Sequence, residues 1–527
     1  MIVDDQKEVI DFLASPVTHG GAVERIETHT AIVFLSGSRA WKLKRAVRFD
    51  YLDFSTPQLR KALCEAEVRL NRRTAPTLYR GVAAVTRAPD GRLALDPPSP
   101  SRSDSSGAAG RTPVDWVVEM ERFDQEALFD RLAAGGRLST NLMPPLAEAI
   151  ARFHTSAEPR RDHGGGAGMQ WVVDGNAAGF AEHGAGTLEA DACRRVTEVA
   201  SAEIVRRDQL LDSRREAGWV RQCHGDLHLR NIVLLEGRPT LFDGVEFNDE
   251  IACTDVLYDL AFLLMDLWRR RLPRHANAVW NAYLGETDQT DGIPLMPLFL
   301  SCRAAIRAKT SATAARLQSD AVRGGELQQV ARDYLALAEA LLRPAGPRLI
   351  AIGGLSGSGK STLALALAPM VGAVPGAVVL RSDEIRKRLC GVRPLDRLGP
   401  GGYTSEVSAR VYATIADRAS RIVRGGHSAI VDAVHLGADD RQAIERVSRD
   451  AAAPFVGIWL DAPDEQLIEQ TGLRGADPSD ADASVIRQQR ARDAGTIRWH
   501  RVDASRPAEA VLDQVAAVLN IQEAAGG

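Results

Sequence analysis

Lysine is scarce in this chain. Of 65 basic residues among 527, 58 are arginine and only 7 are lysine (Lys7, Lys42, Lys44, Lys61, Lys309, Lys360, Lys387). Codon usage in a G+C-rich genome accounts for the skew, and a lysine kept against it is a candidate for a place where a planar guanidinium is a poor replacement, although Lys7, Lys61, Lys309 and Lys387 sit in no motif that explains them. Cysteine is sparse too. The six residues are scattered with no C-x-x-C pair, which argues against structural zinc and a disulfide framework and fits a reducing compartment. Long apolar runs are lacking: the stretch around Leu260–Leu267 is interrupted by Asp266 and is far shorter than a membrane span. The N-terminus, Met1-Ile2-Val3-Asp4-Asp5, is acidic where a signal peptide is basic and then apolar. A cytoplasmic protein with no membrane partner is expected. Charge of one sign is absent as well: a net charge of −4 and a pI near 6.3 leave no footprint for constitutive nucleic-acid binding. The oligomeric state is not readable.

A length of 527 residues exceeds what one core supports. Residues 22–45 alternate polar and apolar around a Gly37-Ser38 hairpin turn. A helix is predicted from Pro57 to about Arg73, and a strand over Trp116–Met120 follows the low-complexity loop 97–113. From about 121 to 344 the pattern is mostly helical, broken by a strand–loop–strand unit at 221–247 and a glycine-rich patch at 164–168. Arg343-Pro344-Ala345-Gly346-Pro347 is the clearest boundary. Beyond it, strands (Leu349–Gly353, Ala377–Leu380, Ser428–Val431, Val456–Leu460) alternate with helical runs, which predicts a parallel α/β sheet.

Two constellations carry chemistry. Gly354-Leu355-Ser356-Gly357-Ser358-Gly359-Lys360-Ser361 satisfies G-x-x-x-x-G-K-[ST], after an apolar strand and at the start of a helical run that opens with Thr362. Glycines let backbone N–H groups turn onto phosphate oxygens, Lys360 reaches the outer phosphates and Ser361 offers its hydroxyl to Mg²⁺. Arg381-Ser382-Asp383 and Asp432 stand at strand C-terminal ends, where open α/β sheets bind ligands. The polar stretch Gly472–Gln489, with Arg474, reads as a lid. The second constellation is His224-Gly225-Asp226-Leu227-His228-Leu229-Arg230-Asn231, completed by Asp243 after a short hairpin. Phosphoryl transfer needs a proton acceptor and hard oxygen ligands for a metal. Asp226 fits the first role, and Asn231 and Asp243 fit the second. His224 braces the loop, and His228 has no assigned part.

On these residues the C-terminal part (345–527) resembles the P-loop small-molecule kinases, the group with gluconate kinase, the kinase domain of phage polynucleotide kinase and the zeta-type toxins. That resemblance implies that Asp383 orients or deprotonates an acceptor hydroxyl and that Arg386 binds an acidic acceptor group. Such lids carry two arginines about four residues apart, and Gln470 occupies the first place here. The catalytic loop resembles that of the aminoglycoside phosphotransferase family, with its bilobed protein-kinase-like α+β fold. It implies that Lys42, or Lys44 on the same face, pairs phosphate, that Glu67 (or Glu65) is its ion-pair partner, and that Glu119-Met120 presents backbone groups to adenine. The G-x-G-x-x-G of protein kinases is missing: the first hairpin, near Glu27-Thr28-His29-Thr30, holds no glycine.

The expected architecture is thus a kinase-like N-terminal lobe (1–120), a helical lobe with the catalytic loop (121–344) and an α/β P-loop domain with a parallel sheet (345–527). The expected function is transfer of the ATP γ-phosphate, with Mg²⁺, to a hydroxyl of a small metabolite such as a sugar or amino sugar. Alternatives are a protein or nucleic-acid end kinase, and a nucleotide-gated regulator in which one module binds ATP without turnover.

Overall fold

The computed structural model describes residues 4–49, 52–98, 110–393, 395–472 and 478–521. The chain divides into two compact units, one formed by Met1–Trp171 with Asp208–Leu263 and the other by Val172–Arg207 with Leu264–Gly527.

In the first unit, β1 (Glu24–Glu27), β2 (Ala31–Ser36), β3 (Arg39–Lys44), β4 (Tyr79–Arg87), β5 (Leu93–Leu95) and β6 (Thr112–Glu121) form an antiparallel sheet of order β1-β2-β3-β6-β4-β5. Strand period sorts its side chains. Trp41 and Leu43 of β3 join one core with Leu13, Phe34 and Val85. Ala40 joins the other, under helix α1 (Pro57–Asn71), with Cys64 and Val68. Lys42 and Lys44 share the face of Ala40 and so point at α1. The helix starts as its sequence requires, with the Thr56 side chain accepting the Leu59 N–H and proline at its first turn. The glycine-rich patch expected to interrupt helical structure instead opens a helix, Gly165–His183.

The catalytic loop leads into a hairpin, β7 (Ile232–Leu235) with β8 (Arg238–Leu241), in which Ile232 faces Leu241. It is followed by helix α2 (Val256–Arg269).

In the second unit, helices α3 (Pro273–Thr287), α4 (Met296–Leu317) and α5 (Ala321–Leu341) precede the P-loop sheet. That sheet is fully parallel, with β9 (Leu349–Gly354), β10 (Val378–Arg381), β11 (Ala429–Asp432), β12 (Phe455–Asp461) and β13 (His500–Asp503) in the order β10-β11-β9-β12-β13. Ile350, Ile352, Ile430, Ile458 and Leu460 pack with Leu363, Leu367, Val511 and Val515 into its core. The four expected strands are present within a residue or two, and β13 is an addition.

The outer edge of β10 is closed by side chains. Asn277 Nδ2 on α3 donates to the carbonyls of Pro375 and Ala377, each at 3.1 Å. Asn281 Nδ2 donates to Ala377 O at 3.2 Å, and Asn281 Oδ1 accepts the Val379 N–H at 2.7 Å. An edge strand normally leaves such groups open to another chain. Here two asparagines on one helix face, four residues apart, complete the ladder. Among the described residues no helix is long and apolar enough to cross a membrane.

Candidate active sites

The first site assembles where β3, α1 and the segment after β8 meet. Lys42 Nζ donates to Glu67 Oε1 at 2.9 Å and is paired with Asp243. Lys44 Nζ donates to Glu67 Oε2 at 2.6 Å and is paired with Glu246. Both lysines therefore meet the same carboxylate. Glu65 lies on the exposed side of α1, 4.0 Å from Lys61. Burial alone would lower the Lys42 pKa, but the Asp243 and Glu67 carboxylates raise it well above the ordinary value, so its charge is secure. Burial likewise pushes Glu67 up, and the two lysines overcome it to hold Glu67 below the usual carboxylate range.

The catalytic loop is held from below. Asp259 on α2 is fully buried and accepts the backbone N–H groups of His224 (3.2 Å) and Gly225 (2.8 Å), with His154 Nε2 at 3.1 Å. His154, Cys223 and Asp259 stand close enough to suggest a metal cluster. Asp259 is already committed to the loop's amides, so the group reads as a brace. His224 Nε2 donates to Phe242 O at 2.9 Å, the bracing part expected of it. Asn231 Nδ2 donates to Asp226 Oδ2 at 3.0 Å and to Asp226 O at 2.9 Å. His228 accepts the Arg230 N–H on Nδ1 and turns Nε2 toward Asp226 Oδ2 at 3.3 Å. Phe242 N–H donates to Asn231 O at 3.0 Å, which brings Asn231 and Asp243 to one end of the hairpin. Asp243 adopts a left-handed conformation (φ 60°), and its N–H donates to the Tyr79 hydroxyl at 3.0 Å. The amide oxygen of Asn231 and the carboxylate of Asp243, the latter 43% exposed, are hard donors that suit a small divalent cation.

One expectation for this unit needs correction. Glu119 and Met120 lie inside β6, flanked by β3 and β4, because the strand runs on to Glu121; their backbone groups belong to ladders, not to a free hinge. Of the acidic residues after Asp243, Glu246 is buried against Lys44, and Asp255 is gripped by Arg214 at 2.7 and 2.9 Å.

The second site is the phosphate loop between β9 and α6 (Lys360–Leu367). Gly354 and Gly357 have φ of 140° and 88°, and a Cβ there would stand 2.6 Å from Leu460 O and 2.4 Å from Leu467 O respectively. No other residue fits. Lys360 Nζ donates to Leu355 O at 2.8 Å, curling over the loop. Ser361 Oγ donates to Asp432 Oδ2 at 2.6 Å, so the hydroxyl and carboxylate proposed for a metal are in contact. The Ser358 hydroxyl is buried without a hydrogen-bond partner among the described residues, as expected of a cradle built for an anion. Thr362 follows in the first turn of α6, and Gly359 (φ 83°) caps that helix.

A cavity of about 440 Å³ opens beside the loop, lined by Lys360, Ser361, Asp383, Arg386, Asp432 and Asp480 among others. Burial, then the neighbouring Asp432 carboxylate, raises the Asp383 pKa, which improves it as a proton acceptor near neutrality. Arg386 is buried, lies 5.1 Å from the Tyr403 ring centroid and donates to Gly402 O at 2.9 Å, while its Nε has no hydrogen-bond partner among the described residues. Arg474 lies outside the described residues. Sequence reasoning missed Gln489, whose Oε1 accepts the Ser356 N–H at 2.9 Å and whose Nε2 donates to Ser356 Oγ at 3.0 Å. Its position in a polar lid carried no signal of that contact. Asp259 did have one: a carboxylate inside an apolar helix must find donors.

Comparison with known proteins follows the same division. The phosphotransferase enzyme family model matches residues 110–293, and an AAA domain model matches residues 349–494. The uncharacterized protein Rv2004c of Mycobacterium tuberculosis (strain ATCC 25618 / H37Rv) is 30% identical over 518 residues, covering 95% of this chain and 96% of that protein. The adenylyl-sulfate kinase of Myxococcus xanthus is 34% identical over 115 residues, 22% of this chain and 58% of that protein. Among solved structures, the amicoumacin kinase hAmiN is 14% identical, covers 63% of this chain and 94% of its own, and has a TM-score of 0.38. The chain belongs to one family with this mycobacterial protein, and it is itself a phosphotransferase in which a phosphotransferase-family region is followed by a P-loop kinase domain.

Proposed function

We propose that the protein is a small-molecule kinase with two ATP sites, each transferring the γ-phosphoryl group to a hydroxyl. The observation that carries this reading is the meeting of Lys42, Glu67 and Asp243 at one place, with Asn231 bonded to Asp226 on the adjoining loop. At the first site the acceptor oxygen attacks the γ-phosphorus, the bond to the β-phosphate bridging oxygen breaks and ADP departs. Asp226 receives the hydroxyl proton, Lys42 neutralises phosphate charge, and Asn231 and Asp243 hold magnesium. Magnesium, when bound, spreads the charge that develops on the phosphates. At the second site Lys360 and the loop amides hold phosphate, Ser361 and Asp432 hold the metal, and Asp383 accepts the proton. Arg386, whose buried Nε has no partner among the described residues, suits an acceptor carrying an acidic group. The division into 1–120, 121–344 and 345–527 is retained as a proposal about function, since it keeps each motif set whole.

The test is a phosphorylation screen of a metabolite pool with full-length wild type, Asp226→Ala and Lys360→Ala in parallel. Products lost in one variant and kept in the other assign each chemistry to its site. No acceptor-dependent ADP release from any pool overturns the reading.

A second reading, a nucleotide-gated regulator, draws support from Gln489 seated on the phosphate loop and from Gln470 in place of a lid arginine. It expects Lys360→Ala to alter the rate at the first site instead of abolishing a product of its own.

A further inference from the structure

The resemblance that located Lys42 left Lys44 as a mere substitute for it. The structure gives both lysines work, and the work differs. Lys42 is 17% exposed and its partner Asp243 43%, so this pair reaches the surface of the site. Lys44 is 2% exposed, Glu246 5% and Glu67 0%, so the second pair is sealed beneath the first. Lys44 Nζ also sits 5.0 Å from the Phe54 ring centroid, which closes its remaining side.

The sealed pair connects the parts that must stay in register. Lys44 is two residues from Lys42 on β3, and Glu246 is three residues from Asp243. Glu67 is held by Lys44 through the oxygen that Lys42 does not use. The segment between Asp243 and Glu246 is tied down as well: Gly244 N–H donates to Asn71 Oδ1 on α1 at 2.8 Å, and Val245 N–H donates to His224 O at 2.8 Å. When nucleotide and metal enter, Lys42 must turn to phosphate and Asp243 to the cation, so their direct pairing is given up. Something else must then hold α1 and the Asp243 segment on β3.

We propose that Lys44 and Glu246 are positioning residues of the first site, an inner clamp that keeps Glu67 and the Asp243 segment in place when the Lys42–Asp243 pair opens to accept magnesium and nucleotide. The inference rests on reading this site as a nucleotide–magnesium site. Both residues are buried beneath the Lys42–Asp243 pair, away from the surface of the site, which separates them from Lys42 in an experiment.

The experiment uses the full chain carrying Lys360→Ala, which silences the second site, and compares it with the same protein bearing Lys44→Met, Glu246→Gln or Lys42→Met. AMPPNP binding is titrated by calorimetry without metal and then across a magnesium series, with thermal melting alongside. The Lys44→Met and Glu246→Gln proteins should bind metal-free AMPPNP within about threefold of the parent. They should need at least tenfold more magnesium to reach the metal-enhanced affinity. Lys42→Met should weaken the metal-free binding itself. Where Lys44→Met fails to fold, Lys44→Arg and Glu246→Asp supply the graded series, and both should raise the magnesium requirement by a smaller factor. A parental magnesium response in folded clamp variants, with only the melting temperature lowered, overturns the clamp alone. Absence of any magnesium-dependent AMPPNP binding in the Lys360→Ala parent overturns the clamp together with the site reading beneath it.

Discussion

Asp226 Oδ2 accepts a hydrogen bond from Asn231 Nδ2 at 3.0 Å and has His228 Nε2 3.3 Å away. Asn in its place still accepts a hydrogen bond but cannot take a proton. Asp226→Asn should leave the fold intact and lower acceptor-dependent ADP release at the first site by roughly 10²–10⁴-fold. Comparison of turnover with thermal melting checks this. A second residue sets a pH response. Burial holds the His427 imidazole down at about 4, against an ordinary 6.5, while its Nε2 donates to Gly376 O at 2.8 Å. The unfolded chain therefore binds the extra proton first, and stability of the P-loop unit should fall as pH drops from 6.5 toward 4. This one group should account for about 2 kcal/mol by pH 5. His427→Gln should flatten the decline, as read by melting temperature between pH 7 and 5. Much at this scale was legible in sequence. Motif spacing singled out Asp226, Asn231, Asp243, Lys360 and Ser361, and in the structure Asn231 meets Asp226, Asp243 meets Lys42 and Ser361 meets Asp432. Glu67 was separable from Glu65 only once the helix had a face, and Glu246 only once the segment after Asp243 had folded back onto β3.

The phosphate loop shows what an element demands of its residues. Gly357 combines φ of 88° with a Cβ position 2.4 Å from Leu467 O. Gly357→Ala must therefore shift either the loop or the segment carrying Leu467. Nucleotide affinity at the second site should fall at least tenfold with the rest of the chain still folded, measured by calorimetry on the full-length protein. Strands of this unit were legible where they are apolar, since a strand buried on both faces reads as a hydrophobic run. β13 is His500-Arg501-Val502-Asp503 with only Val502 buried, so its edge position erased that signal. The misplaced hinge has a related origin. A half-buried strand has no internal mark for its end, and β6 simply continues through Glu121.

At the scale of the whole molecule the boundary at Arg343–Pro347 is clear in composition, yet compactness places Leu264–Leu341 with the P-loop sheet. The asparagines of α3 are one reason. Replacing Asn277 and Asn281 together by Ala leaves the Pro375 and Ala377 carbonyls and the Val379 N–H without those partners. Each unsatisfied buried group costs about 1–3 kcal/mol. The double variant should unfold its P-loop unit at lower temperature and aggregate through β10, as followed by melting and light scattering. A fragment beginning at residue 345 should behave the same way, which is why the activity tests above keep the chain whole. The same arrangement has a consequence in time. Asn281 and Val379 are 98 positions apart, so on a ribosome adding about 5–20 residues per second the helix exists for roughly 5–20 s before its strand is made. During that interval the Asn277 and Asn281 amides of α3 await their strand partners, and the strand that follows meets a template already in place. Synthesis order and edge protection thus become one property of the chain: the β10 edge of the sheet is the edge whose helical partner is always born first.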